Sequence, residues 1–174
     1  MSKTILTSAE QHNWYPVYTN PRAEKKAAEL LEKKGIEVYL PLQRQLKQWT
    51  DRKKWVEEPL IKSYLFVRIT ARQQMDVLTT KGVCRFLYFA GKVASMPERQ
   101  ITQLQLLLAT EAELEVSDRE FKPGEKVRVK GGPLMGLTGE LVQHLSQKKM
   151  LLRLDNTGRV VLVNIPAVFL ELMA

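Results

Sequence analysis

Five cations and two tryptophans crowd into residues 42–56: Arg44, Lys47, Arg52, Lys53 and Lys54 are interleaved with Trp49 and Trp55. Arg and Lys attract phosphate oxygens, and unpaired bases stack on aromatic rings. The chemistry such a set can do is therefore recognition of a polyanion, not bond-making. Thr50-Asp51 reads as a turn, so the segment is predicted to be an extended basic hairpin that ends at Glu57-Glu58-Pro59. A second candidate lies just beyond it. Residues 63–69 alternate as a strand, with Tyr64 and Phe66 on one face beside Arg68 and with Leu65, Val67 and Ile69 on the other. The rings either pack into a core or line an apolar hollow that seats a helical tip of a partner, since large aromatic surfaces make good interface anchors. The residues alone leave both readings open.

Covalent chemistry is poorly served. His12 and His144 are far apart in the chain, and Cys84 is a lone thiol in an apolar strand, which reads as a buried small hydrophobe. No metal-ligand spacing appears. The glycine-rich stretch 131–139 lacks the Lys-Ser/Thr ending of a phosphate-binding loop. The sequence predicts no enzyme, no cofactor and no metal.

These residues must be positioned by a chain of 174 residues, enough for one ordinary domain or two small ones. The formal net charge is +8, which favours a polyanionic partner. Residues 1–110 carry 18 Lys/Arg against 10 Asp/Glu, residues 111–120 carry 1 against 5, and residues 121–174 carry 8 against 4. Two basic blocks around an acidic joint predict a loose N-terminus at 1–12, a domain over 13–110, a linker over 111–120 and a second domain over 121–174. The single cysteine rules out an internal disulfide framework. No basic start followed by an apolar run marks a secretory signal, and no apolar run reaches membrane-spanning length. The expectation is a cytoplasmic protein without a membrane partner, and a monomer.

Trp14 to Tyr18 has strand character, and Asn20-Pro21 reads as a capped helix start. Ala23, Ala27, Leu30 and Leu31 form a helical apolar stripe, with Gly35 at the expected cap. Ile36 to Leu40 is a strand, Ala71 to Thr80 a short helix and Cys84 to Phe89 a strand. Pro97 opens a helix aligning Ile101, Leu104 and Leu108. The rest reads as strands. In Gly124-Glu125-Lys126-Val127-Arg128-Val129-Lys130-Gly131-Gly132-Pro133, valines alternate with cations and run into a glycine-proline corner. Leu134 and Met135 follow it, and core packing is expected for at least one. Met150 to Leu154, a turn at 155–158, Arg159 to Val163 and Val168 to Leu172 complete the block.

From Asn13 onward the chain resembles the NusG family of transcription elongation factors. Trp14-Tyr15, Pro21-Arg22 with Glu24, Gly35, Tyr64-Leu65-Phe66-Val67 and Lys81-Gly82-Val83 look like its N-terminal NGN domain, and Gly124 to Val142 looks like its KOW domain. Glu58-Pro59-Leu60 before Tyr64-Leu65-Phe66-Val67, and Thr80-Lys81-Gly82-Val83 before Phe86 and Phe89, are similar to the specialised RfaH type. The hairpin Gln45 to Trp55 is similar to the UpxY type of capsular polysaccharide operons. Two positions depart from the family: Lys62-Ser63 stands where Pro-Gly or Pro-Asn is common, and Thr157 where housekeeping members often carry an aromatic ring.

The resemblance implies an α+β fold, an NGN α/β sandwich with an antiparallel sheet followed by an SH3-like five-stranded β-barrel. It implies antitermination: the NGN domain grips the clamp helices of RNA polymerase and promotes processive transcription of particular long operons, capsular or exopolysaccharide. The implied polymerase pocket comprises Pro16, Tyr18, Tyr64, Phe66, Phe89, Ile101 and Leu104. Lys26, Thr80 and Lys81 match positions that meet non-template single-stranded DNA in specialised members, and Arg22 with the hairpin cations and Trp49 joins them in the expected nucleic-acid surface. The KOW domain would recruit a ribosomal protein. Two other functions fit the same residues: a housekeeping factor coupling to Rho or ribosomes, and a KOW-type RNA- or ribosome-binding protein without a polymerase role.

Overall fold

The computed structural model describes residues 11–110 and 112–174, so most of the expected loose start lies outside the described residues. The chain divides into two compact units, with the boundary between Glu98 and Arg99.

The first unit is built on a four-stranded antiparallel sheet. Its strands are β1 (Asn13–Thr19), β2 (Glu37–Tyr39), β5 (Tyr64–Ile69) and β6 (Val83–Phe86), in the order β2-β5-β1-β6. Helix α1 (Glu24–Lys33) covers one face. Leu65, Val67 and Ile69 of β5 point to that face and join Val17, Ala27, Ala28, Leu31 and Phe86 in one core. Alternation along the strand and the 3.6-residue stripe on the helix meet here. Helix α1 ends as expected: Gly35 adopts φ +79, its N–H donates to Glu32 O at 2.9 Å, and the Ile36 N–H donates to Leu31 O at 3.2 Å. That bond pair releases the chain into β2, and Ile36 drops into the core beside Leu31.

The start of α1 differs from expectation. Asn20-Pro21 is not the cap; Ala23 is, with no side-chain cap bond. The Asn20 N–H is held by Gly82 O at 2.9 Å, and the Ala23 N–H closes a turn onto Asn20 O at 3.0 Å with Arg22 at φ +64. Asn20 thus opens the turn that follows β1 instead of beginning a helix. Its side-chain oxygen accepts the Cys84 thiol at 2.7 Å. Cys84 itself is exposed, not buried, because it lies on β6 at the edge of the sheet.

Strands β3 (Leu42–Gln48) and β4 (Lys53–Pro59) form a separate two-stranded ribbon. The Trp49 N–H donates to Arg52 O at 2.7 Å and closes its turn. Helix α2 (Gln74–Leu78) and a small hairpin of β7 (Tyr88–Phe89) and β8 (Lys92–Val93) complete the unit.

The second unit takes in α3 (Glu98–Ala109) from Arg99 onward, and the buried residues of this helix are Gln100, Ile101, Leu104 and Leu107. Leu107, not the expected Leu108, completes the buried face. Strands β9 (Leu114–Ser117), β10 (Glu125–Val129), β11 (Thr138–His144), β12 (Gln147–Leu154), β13 (Arg159–Val163) and β14 (Leu170–Leu172) form an antiparallel sheet in the order β14-β10-β11-β12-β13-β9. Six strands are therefore joined where five were expected. The extra one comes from the acidic segment: Leu114 to Ser117 pairs with Val163 to Val160, so part of the expected linker is an edge strand. Leu114 and Val116 alternate with the charges, which is the pattern such an edge needs. Met150, Leu151, Val161 and Val163 are fully buried in this sheet. The Glu140 carboxylate ties it together, accepting from the Gly124 N–H at 3.0 Å and from Arg153 Nε at 2.6 Å and Nη2 at 3.2 Å. At the glycine-proline corner Leu134 is buried and Met135 is exposed.

Candidate nucleic-acid and partner interface

Sheet register places the aromatic residues. On β5 and β1, Phe66 stands opposite Pro16 and Tyr64 opposite Tyr18. Directly paired residues of an antiparallel sheet share a face, so four of the expected pocket residues come together on the side away from α1. The rows extend further. Tyr39 on β2 pairs with Phe66, and the two rings stack with centroids 6.4 Å apart. Arg85 on β6 pairs with Tyr18 and lies over its ring at 5.5 Å. Tyr18 meets Tyr64 edge-on at 5.5 Å. The face is thus an aromatic field across three strands, flanked by Arg85 of the fourth.

These rings are packed, not lining an open hollow. Phe66 is fully buried, Tyr64 and Pro16 are buried, and Tyr18 is half-buried. Burial pushes the Tyr39 hydroxyl up to about 12. Nothing local in the sequence marks the register that brings Tyr39 of β2 beside Phe66 or Arg85 of β6 beside Tyr18. Phe89 stands apart: it is 71% exposed on the β7–β8 hairpin, whose Ala90-Gly91 turn has positive φ at both residues. Ile101 and Leu104 are buried on α3, in the second unit.

The cations fall into two groups. The ribbon carries Arg44, Lys47, Lys53 and Lys54 on its strands and Trp49 and Arg52 in its turn. Trp49 is half exposed at the tip and is not strand packing. Lys47 is paired with Glu58 on the opposite strand. The other group sits around the start of α1. The Asn20-to-Gly82 hydrogen bond brings the turn of Arg22 against the turn of Lys81. Gly82 permits this approach, because a Cβ there would stand 3.2 Å from the Cβ of Ala23 at a backbone φ of +94. Arg22 and Lys81 are exposed, and Lys26 is exposed with Glu29 at 3.7 Å. A cleft of about 500 Å³ joins the two groups, lined by Arg22 and Lys25 on one side and by Lys47, Glu57 and Glu58 of the ribbon on the other.

Thr80 does not belong to this surface. It is buried, its hydroxyl donates to Asp76 O at 2.7 Å, and it accepts from Lys34 Nζ at 2.8 Å. Lys34 also donates to Asp76 O at 2.9 Å, so an ammonium completes the C-terminal end of α2, where free carbonyls favour a cation. The side chain that matches a DNA-facing position is thereby committed to holding α2 against the end of α1.

The two histidines lie in different units. His144 is buried with Nε2 3.1 Å from Glu115 Oε1, a satisfied structural contact, and His12 is exposed before β1. Among the described residues no cluster of His, Cys, Asp or Glu could hold a metal ion, and no helix is long and apolar enough to cross a membrane.

An α/β unit with a four-stranded antiparallel sheet, a face of packed rings and a separate basic ribbon is a fold of the NGN-like class. The family model "NusG: Transcription termination factor nusG" matches residues 12–105. The chain belongs to the NusG family, a family of transcription factors and not of enzymes. Among solved structures, Thermotoga maritima NusG, described for its domain interaction, is 21% identical, with 94% of this chain and 98% of that chain covered at a TM-score of 0.53. That likeness speaks for the fold. The MjSpt4:Spt5 complex in conformations B and A is 17% identical in each case. It covers 92% of this chain and 97% or 98% of those chains, at TM-scores of 0.32 and 0.29, too low to bear on the fold.

Proposed function

We propose that this chain is a specialised NusG-family factor of the UpxY/RfaH type. It engages the clamp helices of RNA polymerase through its first unit, contacts the exposed non-template strand, and promotes processive transcription of particular long operons, capsular or exopolysaccharide. One observation carries this reading: a family-matched unit that projects a ribbon bearing Arg44, Lys47, Trp49, Arg52, Lys53 and Lys54 beyond its sheet. A factor acting everywhere needs no extra reading surface, whereas one that selects operons does. The half-buried Tyr18, backed by the buried Pro16, Tyr64 and Phe66, supplies the apolar anchor for the polymerase, by preferential binding to one conformation of that enzyme. Arg22, Lys26, Lys81 and the ribbon cations supply the phosphate contacts. The second unit is proposed to be a KOW domain curling as an SH3-like barrel around its Gly131-Gly132 corner and recruiting a ribosomal protein. The protein works in the cytoplasm as a monomer.

The housekeeping reading stays second. Thr157, buried with its hydroxyl donating to Leu154 O at 2.8 Å, is turned inward where an aromatic contact would be needed. The test is retention of RNA polymerase by the full-length protein at low salt, followed by crosslinking to the displaced strand of a transcription bubble. Retention with crosslinks from the ribbon supports the proposal. Failure to retain polymerase refutes it, and retention without strand crosslinks returns the protein to the housekeeping reading.

A further inference from the structure

The β3–β4 ribbon has two unequal faces. Register places Arg44 opposite Glu57, Leu46 opposite Trp55 and Gln48 opposite Lys53 on one of them. All six of these residues are exposed. On the other face, Gln43, Lys47, Val56 and Glu58 are partly covered, and only Gln45 and Lys54 are exposed. The open face nevertheless carries a leucine and a tryptophan directly across from each other, 48% and 55% exposed. Arg44 sits over the Trp55 ring at 4.7 Å, which fixes the orientation of the indole while leaving more than half of it in solvent. Trp49 stands 51% exposed at the tip of the same ribbon.

We infer that this open face is a base-stacking platform for single-stranded nucleic acid, with Trp55 as its central anchor and Leu46 as its apolar floor. Charge complementarity selects the occupant. The ribbon, residues 42–59, holds five cations against three acids, Asp51, Glu57 and Glu58, and Arg52, Lys53 and Lys54 cluster at its tip, so a polyanion is drawn to the tip end of this face. An oriented, half-open indole beside guanidinium and ammonium groups matches what an unpaired base with its phosphate requires: a π-face to stack on and a cation within reach. One leucine and one indole are too little apolar surface for the buried centre of a protein interface. A duplex offers no unstacked base, so the platform discriminates against it. The inference rests on the reading that this chain holds nucleic acid, and it assigns the stacking to Trp55, apart from the cations around α1.

The same pair could instead only hold the ribbon together, since cross-strand apolar pairs stabilise two-stranded sheets. Two variants of the full-length protein separate these roles. Trp55→Leu keeps apolar cross-strand packing and removes the stacking surface; Trp55→Phe keeps both. The probe is an oligothymidylate of about 12 nucleotides, within the site sizes known for such grooves, titrated by fluorescence anisotropy. Trp55→Leu is expected to weaken binding roughly tenfold or more, and Trp55→Phe only a few-fold. Wild-type affinity in Trp55→Leu overturns the inference, as does an equal loss in both variants. The reading on which it rests is checked by combined charge reversal of Arg22, Lys26 and Lys81. If that variant loses binding while Trp55→Leu does not, the platform fails and nucleic-acid binding stands. If the wild-type protein binds no oligothymidylate, both fail.

Discussion

Replacing Phe66 by alanine separates a packed ring face from an open pocket. Phe66 is fully buried, pairs with Tyr39 on one side and Pro16 on the other, and stacks on the Tyr39 ring. Truncating a ring in such a place removes its transfer free energy and leaves a cavity, which together cost about 3–5 kcal/mol. Loss of the stacking contact with Tyr39 is part of that sum, at about 0.5–1.5 kcal/mol. The reporter is at hand. Trp14 lies buried on β1 in the same sheet, so a Trp49→Phe, Trp55→Phe background leaves it as the only indole in the chain. Urea unfolding followed by Trp14 emission should show the midpoint moving down by an amount equivalent to at least about 3 kcal/mol. A loss under about 1 kcal/mol would refute the reasoning, because only a ring already in contact with water can be removed so cheaply. The result also bears on function. If Phe66→Ala is strongly destabilised, its failure to bind polymerase identifies no contact, and the half-buried Tyr18 becomes the better residue to alter.

Glu140→Gln should destabilise the second unit by about 2 kcal/mol at neutral pH, since charged hydrogen bonds contribute about 1.5–3 kcal/mol and Arg153 is partly solvent-screened. Burial works to raise the Glu140 carboxyl, but the Arg153 hydrogen bonds, the Gly124 N–H and the charges of Arg153 and Lys126 outweigh it and hold the group below its ordinary value. A depressed carboxyl contributes stability above its unfolded pKa and loses it as pH falls through the folded one. The gap between wild type and Glu140→Gln, read from amide exchange at Leu151, should therefore close in acid and persist if the reasoning is wrong. Gly124→Ala would drive a methyl into the Leu141 carbonyl, and a loss of about 1–3 kcal/mol is expected in the same assay; unchanged exchange would show that the β10 lead-in yields. Tyr39, raised to about 12 by burial, keeps its proton in the folded state after the unfolded chain has lost it at about 10. Stability should fall as pH rises through that interval, and Tyr39→Phe should remove this part of the alkaline decline in ultraviolet tyrosinate titration. Thr80→Ala should lower stability by about 1 kcal/mol by removing the hydroxyl that bonds both Asp76 O and Lys34, while leaving salt-dependent DNA affinity unchanged; a selective loss of affinity would return Thr80 to the binding surface.

Local pattern determined a good deal of this protein. Alternation placed Leu65, Val67 and Ile69 on the core side of β5, the stripe of Ala27 and Leu31 found α1, and Gly35 ended it. The order of short motifs pointed to the family that the match over residues 12–105 shows. The cation and tryptophan content of 42–56 pointed to the ribbon, whose strands pair from Leu42 to Pro59. Periodicity reports which residues share a face. It does not report whether that face is covered, because covering elements come from distant parts of the chain. Only tertiary packing therefore buried Phe66 and Thr80, exposed Cys84 and Phe89, turned Asn20 from a helix cap into the first residue of the turn after β1, and drew Leu114 to Ser117 out of an acidic joint into the sheet. Tyr39 shows the limit most plainly. Its register against Phe66 depends on how β2 docks across the sheet, and no neighbour in sequence encodes that.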